Sequence, residues 1–378
     1  MRLIVNSFLC FLLLLSTALA QAAPVPAPPQ IEATGHLLID FHSGAILAEN
    51  NAGKRLEPAS LTKIMTAYTV FRELEEGNIT LNDQVLVSKK AWKTPGSRMF
   101  IEVGKQVSVD DLIHGMIIAS GNDACVALAE HIAGSEEAFA ALMNKHVLEL
   151  AMENTHFNNS TGLPDPNHYT TPEDILKVTR AIIREFPQFY PLYSQKEFTY
   201  NGITQKNRNR LLWRDASVDG VKTGHTEAAG YCLVTSAKRD NMRLLSVVMG
   251  TASDEARARE SQTLLNFGFR FFQTHRLFNG GQTLKSPRIW KGETDNLNLG
   301  LEDDLYVTIP RGSYGKLAAK IRIRDSIMAP VPQGKVLGKI ILELDGEVIK
   351  EVPLIALRGV REGGIIHNLV DNVLMIFH

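Results

Sequence analysis

An apolar pattern of helical period runs from Leu61 past Thr171, and strand-like alternation frames it on both sides. Ahead of it, residues 36–40 and 45–48 flank a turn at His42-Ser43-Gly44 and read as a β-hairpin. Behind it, residues 197–200, 230–238 and 242–249 alternate as strands, and the turn at Asp240-Asn241 makes the last two an antiparallel pair. Residues 255–274 return to helical spacing through Leu264, Leu265, Phe267, Phe271 and Phe272. This order predicts an α/β domain of the α+β kind, an antiparallel sheet with a helical subdomain. Beyond Gly280-Gly281 come short apolar runs at 305–309, 317–323, 336–344 and 348–354, bounded by Gly, Pro and Asp, which predict a small all-β module.

Ser60 stands at the mouth of the first helical run, which carries Ile64, Met65, Tyr68, Phe71 and Leu74 and ends at Gly77. Lys63 follows three residues later, so the two side chains share a helix face and can meet. A serine hydroxyl is a poor nucleophile until a base takes its proton. An amine serves as that base only with a depressed pKa, which burial and the positive end of a helix both favour. The helix mouth also offers backbone N–H groups to a developing oxyanion. The S-x-x-K spacing alone is weak, because Ser313-Tyr314-Gly315-Lys316 repeats it in a Gly-rich stretch with no helical pattern after it.

Two further elements corroborate Ser60. Ser108-Val109-Asp110-Asp111 reads as a capping signal for a helix that breaks at Ser120-Gly121-Asn122, the sole S-x-N in the chain. Helical runs at 124–132 and 135–150 follow, and Thr171-Pro172 opens another with a Thr cap and Pro at its first position. A polar triplet between apolar helices should face a buried cleft. Asp219-Gly220-Val221-Lys222-Thr223-Gly224-His225 then supplies the only Lys-Thr-Gly, just before the antiparallel pair. S-x-x-K, S-x-N and K-T-G in that order are the set associated with penicillin-binding proteins and class A β-lactamases.

With 378 residues and 44% apolar content, two domains are expected. The 40 basic and 41 acidic residues leave no electrostatic footprint for nucleic acid. Residues 1–20 carry Arg2, an apolar core from Phe8 to Leu15 and a small-residue Ala18-Leu19-Ala20 end, the pattern of a cleaved secretory signal, so the mature chain is expected outside the cytoplasm. Cys10 leaves with that signal. Cys125 and Cys232 are expected as buried free thiols, with a single bridge as the alternative. The 11 histidines show no metal-ligand spacing, so neither metal nor cofactor is expected. Near the end, Ile366, Leu369, Val370, Val373, Leu374 and Phe377 form the stripe of an amphipathic helix too short to span a bilayer. It is expected to lie in a membrane interface, with docking on the protein's own surface as the alternative.

On these motifs the sequence resembles the D-alanyl-D-alanine carboxypeptidases, the low-molecular-mass penicillin-binding proteins. The likeness extends through Ser120-Gly121-Asn122-Asp123-Ala124-Cys125, Asn154-Thr155-His156-Phe157, Lys222-Thr223-Gly224-His225-Thr226 and Gly268-Phe269-Arg270-Phe271-Phe272, over nearly the whole mature chain. It implies a penicillin-binding, β-lactamase-like transpeptidase domain in residues 21–282, an all-β domain in 283–358 and a membrane-associating tail in 359–378. By the same resemblance Ser60 attacks the carbonyl between the terminal D-alanines of a peptidoglycan pentapeptide. Lys63 is then the base, Ser120 and Asn122 relay protons and hold the peptide, and Lys222 completes the charge network.

The resemblance also implies backbone N–H groups of Ser60 and His225 at the oxyanion. Thr223, Gly224, His225 and Arg257 would bind substrate, with Lys222, Thr223 and Arg257 facing its free carboxylate and Arg259 as the rival cation. β-Lactams are implied as covalent inhibitors that leave slowly. The S-G-N motif fits a carboxypeptidase better than a class A β-lactamase, and neither Glu153 nor Glu173 has an asparagine four residues on to activate water. The implied location is the periplasm, peripheral on the inner membrane.

Overall fold

The computed structural model describes residues 25–375, so the expected signal segment and Phe377 lie outside the described residues. Five antiparallel strands form the central sheet in the order Ile46–Asn50, Gly35–Asp40, Met242–Thr251, Gly230–Arg239, Val218–Thr226. The amino-terminal hairpin thus joins strands some two hundred residues away, with Gly35 opposite Met249 and Asp40 opposite Leu244. The strand that carries Lys-Thr-Gly is the far edge of this sheet.

Side-chain alternation divides the core between the two faces of the sheet. Leu37, Ile39, Leu245 and Val247 join the larger cluster, with Ile64, Phe71, Leu112 and Leu128 of the helical block. Leu38, Leu233, Leu244 and Val248 point the other way, onto Leu264 and Leu265 of the helix Asp254–Phe271. That helix sits very close to the sheet. A Cβ at Gly268 would lie 2.5 Å from Leu244 Cδ1, so a larger residue there would have to displace that side chain. All six residues of Gly35–Asp40 are buried, as a strand covered on both faces must be.

The helix expected over 255–274 stops at Phe271. Phe272 turns extended and begins the strand Phe272–Phe278, which pairs with Leu305–Pro310. Tertiary pairing overrides helical spacing here, and Arg311 meets the loose helix end by donating from Nη2 to the carbonyl of Phe269 at 2.8 Å. A four-stranded antiparallel sheet follows, in the order Leu299–Gly300, Glu347–Ala356, Val336–Leu344, Leu317–Ile323.

Buried Asp40 ties this module to the central sheet. It accepts from Ser43 N–H and from Thr274 Oγ1, both at 2.7 Å, while Ser43 Oγ and Thr308 Oγ1 lie 2.6 Å apart.

The tail forms the helix Ile365–Leu374, and no helix among the described residues is long and apolar enough to cross a membrane. Its stripe stands in solvent, with Ile366 82% and Leu369 67% exposed. Asp371 faces the other way. It is buried, salt-bridged to Arg288 at 2.8 Å, and accepts the main-chain N–H of Lys291.

Thr274→Val leaves a buried Asp40 oxygen without its donor. The loss should destabilise the chain by about 1–3 kcal/mol, read from urea unfolding. An unfolding midpoint equal to that of the wild type would show that the joint does not depend on this hydroxyl.

Candidate active site

Ser60 lies in a single 3-10 turn, Ala59–Leu61, that leads into the helix Thr62–Glu75. The turn is forced into shape from two sides. Ala59 has φ +46°, and a Cβ on Gly162 would fall 1.8 Å from the Ala59 carbonyl oxygen. A Cβ on Gly224 would lie 3.0 Å from Pro58 O and 3.3 Å from Leu61 N. The glycine of Lys-Thr-Gly is therefore what lets the edge strand lie against the Ser60 turn.

The amine of Lys63 is the centre of the site. The side chain is 1% exposed, and its Nζ lies 3.0 Å from Ser60 Oγ, 2.7 Å from Asn122 Oδ1 and 2.6 Å from the carbonyl of Thr161. Asn122 Oδ1 and Thr161 O can only accept, so when the amine is neutral they take its two N–H bonds and its lone pair faces the Ser60 hydroxyl. Burial pushes the amine below its ordinary pKa, and the cation Arg208 adds to the effect. Cys125 and Asp123 oppose it.

Lys222 is also buried, and its Nζ donates to Ser120 Oγ at 2.9 Å and to Thr223 O at 3.1 Å. Burial first, then Lys63, Arg208 and Arg257, hold its amine well below the usual lysine range. The repulsion between the Lys63 and Lys222 charges is mutual and opposes protonation of both, and Arg208 lowers each amine through space.

Ser120 adopts φ +59°, sparsely populated for a serine, at the break before the helix Asn122–Ala133. Ser60, Ser120, Thr223, Gly224, His225 and Arg257 line one cavity of about 590 Å³, and Lys63, Asn122 and Lys222 are packed around it without lining it. His225 is exposed, with its ring 3.9 Å from that of Tyr231. Arg257, not Arg259, reaches the cavity. It donates from Nη1 to Gly224 O at 3.1 Å and pairs with Asp254, while Arg259 is turned outward onto Glu32 and Glu260. Both thiols are buried and free, and desolvation pushes Cys125 up to about 12 and Cys232 to about 11.

Sequence reasoning passed over Arg208. It lines the cavity beside Arg257, and buried Asn207 and Asn209 flank it. Asn209 Nδ2 holds Gly220 O at 3.0 Å, which fixes this segment beside the Lys222 strand. The only available signal was the alternation Asn-Arg-Asn-Arg, which reads equally as a solvated loop. Glu197 does have an asparagine four residues on, Asn201, a spacing that sequence reasoning missed. Glu197 is exposed on the hairpin of Glu197–Tyr200 with Ile203–Lys206 and lines no part of the cavity. Ser313 and Lys316 sit in the β module, where Lys316 pairs with Asp345, so that second S-x-x-K is a coincidence. Among the described residues no group of three or more His, Cys, Asp or Glu is placed to hold a metal ion.

The chain is similar to known proteins over most of its length. Residues 21–253 match the family described as D-alanyl-D-alanine carboxypeptidase, and residues 272–362 match the penicillin-binding protein 5 C-terminal domain. D-alanyl-D-alanine carboxypeptidase DacC of Escherichia coli is 45% identical over 370 residues, 96% of this chain and 92% of that protein. DacF of Bacillus subtilis is 36% identical, over 89% of this chain and 87% of its own length. The crystal structure of penicillin-binding protein 5 from Haemophilus influenzae superposes with a TM-score of 0.86 at 42% identity, over 89% of this chain and 100% of that one.

Because Arg208 lowers both amines, Arg208→Gln should raise the pKa of Lys63. The fraction of neutral base then falls at a given pH, and the rise of Ser60 acylation with pH moves to higher pH. The rate of labelling by an activated ester across the neutral and alkaline range measures this, and a profile that does not move would contradict it.

Proposed function

The chain belongs to the D-alanyl-D-alanine carboxypeptidase family, and on that premise we propose that Ser60, Lys63, Ser120, Asn122 and Lys222 carry its reaction. It is a serine-type peptidase that removes the terminal D-alanine from peptides ending in D-alanyl-D-alanine. The observation that carries the assignment is the Lys63 amine, lodged between two obligate acceptors with its remaining contact on Ser60 Oγ at 3.0 Å.

Lys63 takes the Ser60 proton as Oγ attacks the carbonyl carbon of the last peptide bond. The oxyanion that forms is met by the N–H groups of Ser60 and His225, a role worth about 3 kcal/mol per donor. The proton taken up by Lys63 is handed on through Ser120, which Lys222 holds, to the nitrogen of the breaking C–N bond, so D-alanine departs as the amine and Lys63 is neutral again. Water then attacks the ester, and Lys63 again accepts the proton, so that acid is released and Ser60 regains its hydrogen. Thr223, Arg257 and Arg208 receive the free carboxylate of the substrate, and Asn122 holds both Lys63 and the peptide. β-Lactams enter by the same attack and stay as slowly hydrolysed esters.

The substrate in this reading is the pentapeptide stem of peptidoglycan. Residues 1–20 direct export to the periplasm, and residues 359–378 hold the chain to the periplasmic face of the inner membrane. The exposed apolar stripe on Ile365–Leu374 supports that placement, since soluble surfaces rarely leave so regular a stripe uncovered. The central domain is assigned to residues 21–282 and the all-β domain to 283–358.

D-Alanine release from a pentapeptide should fall by about a thousandfold or more in Ser60→Ala. Undiminished release would remove Ser60 from the reaction. Truncation after Gly363 should shift the protein from the membrane to the soluble fraction, and unchanged fractionation would end the case for an interfacial tail.

A further inference from the structure

Asp123 follows directly on Ser120-Gly121-Asn122 and touches none of the reacting groups, acting on Lys63 only as a charge through space. Its carboxylate is 1% exposed and accepts three consecutive main-chain N–H groups, from Met99 at 2.9 Å, Phe100 at 2.9 Å and Ile101 at 3.3 Å, with Ala124 N–H at 3.0 Å as a fourth. Phe100 is held there at φ +70°, a left-handed conformation a phenylalanine keeps only when its surroundings impose it.

The residues just before are tied to Asn122. Its N–H donates to Ser97 O at 2.7 Å, and its Nδ2 to Pro95 O at 2.7 Å. Gly96 and Ser97 line the active-site cavity. The segment 95–101 is therefore a cavity wall whose first half hangs on Asn122 and whose second half hangs on Asp123. The motif glycine leaves room for this, since a Cβ on Gly121 would come 2.8 Å from Asp123 Oδ1 and 3.0 Å from Met99 N.

We propose that Asp123 is a positioning residue of the reaction. Its charge gathers the amides of residues 99–101, holds the wall 95–101 in place and, through that wall, keeps the Asn122 side chain aimed at Lys63. The proposal rests on the reading of Ser60 as the nucleophile. A carboxylate has two acceptor oxygens for these four donors, whereas an amide has one and turns an NH2 towards the rest. Asp123→Asn therefore frees the wall without changing the volume of the side chain.

The test is the second-order rate of Ser60 acylation by penicillin on the full chain. It is expressed per site titrated by the burst, with hydrogen exchange of the amides of residues 99–101 followed in parallel. Asp123→Asn should give a full burst, acylation slowed by about tenfold or more, and faster exchange at those three amides. Asp174→Asn is the control. That equally buried carboxylate holds Asn154 N–H and Thr155 Oγ1 and lines no part of the cavity, and its loss should leave the per-site rate within about twofold of wild type.

Phe100→Gly added to Asp123→Asn should restore part of the rate, because glycine takes φ +70° without strain. Should Asp123→Asn not fold, Gly121→Ala wedges the carboxylate off the amides and should show the same loss. Asp123→Asn within about twofold of wild type despite faster exchange, or Asp174→Asn losing as much as Asp123→Asn, would overturn the role of Asp123. A wild-type chain that gives no burst would instead overturn the reading of Ser60 itself.

Discussion

A lysine amine removed from water is the constraint on which the rest of this structure depends. Lys63 is buried against Ser60, Asn122 and Thr161, which come from three segments of the chain. An unsatisfied amine there would cost several kcal/mol, so the turn at Ser60, the break before the Asn122 helix and the loop through Thr161 must arrive together. Each arrival has its own local strain or steric demand: φ +46° at Ala59, φ +59° at Ser120 and a glycine at 162 that no side chain could replace. Lys222, a second buried amine, donates to Ser120. Two desolvated amines whose charges repel disfavour carrying two protons at once.

What could be read from the sequence was local. Ser108, Ser135 and Thr171 each accept from the N–H three residues on and open helices where their spacing said they should. The alternation at Gly230–Arg239 and Met242–Thr251 gave the antiparallel pair, because a tight turn joins neighbours in sequence. The pairing of Gly35–Asp40 with Met242–Thr251 carries no such mark, since nothing in either strand names a partner so far along the chain. The helix continued on paper through Phe272 because its phenylalanines fit both periods, and only the partner strand Leu305–Pro310 decides between them.

The site divides in the same way. Ser60, Lys63, Ser120, Asn122 and Lys222 stand in short motifs whose residue types announce chemistry, and the fold brings them to one cavity. Arg208 reaches that cavity from a loop and Asp254 from the first turn of its helix, neither within a motif, and Asp123 acts through main-chain amides that have no signature in sequence at all. Nothing in the sequence names the partners of Asp371, Arg288 and the Lys291 amide, which lie some eighty residues before it.

That aspartate has a geometric consequence. A helix joined to a protein only through its own chain can roll about its axis, and a stripe on it then faces everywhere on average. With Asp371 pinned to the β module the roll is lost, and Ile366, Leu369, Val370 and Val373 point in one direction relative to the module. The module is joined in turn to the central sheet through Asp40, Thr274 and Thr308. Any surface that takes up the stripe thereby sets the tilt of the whole molecule, and the orientational entropy of docking has been lost in advance, on folding.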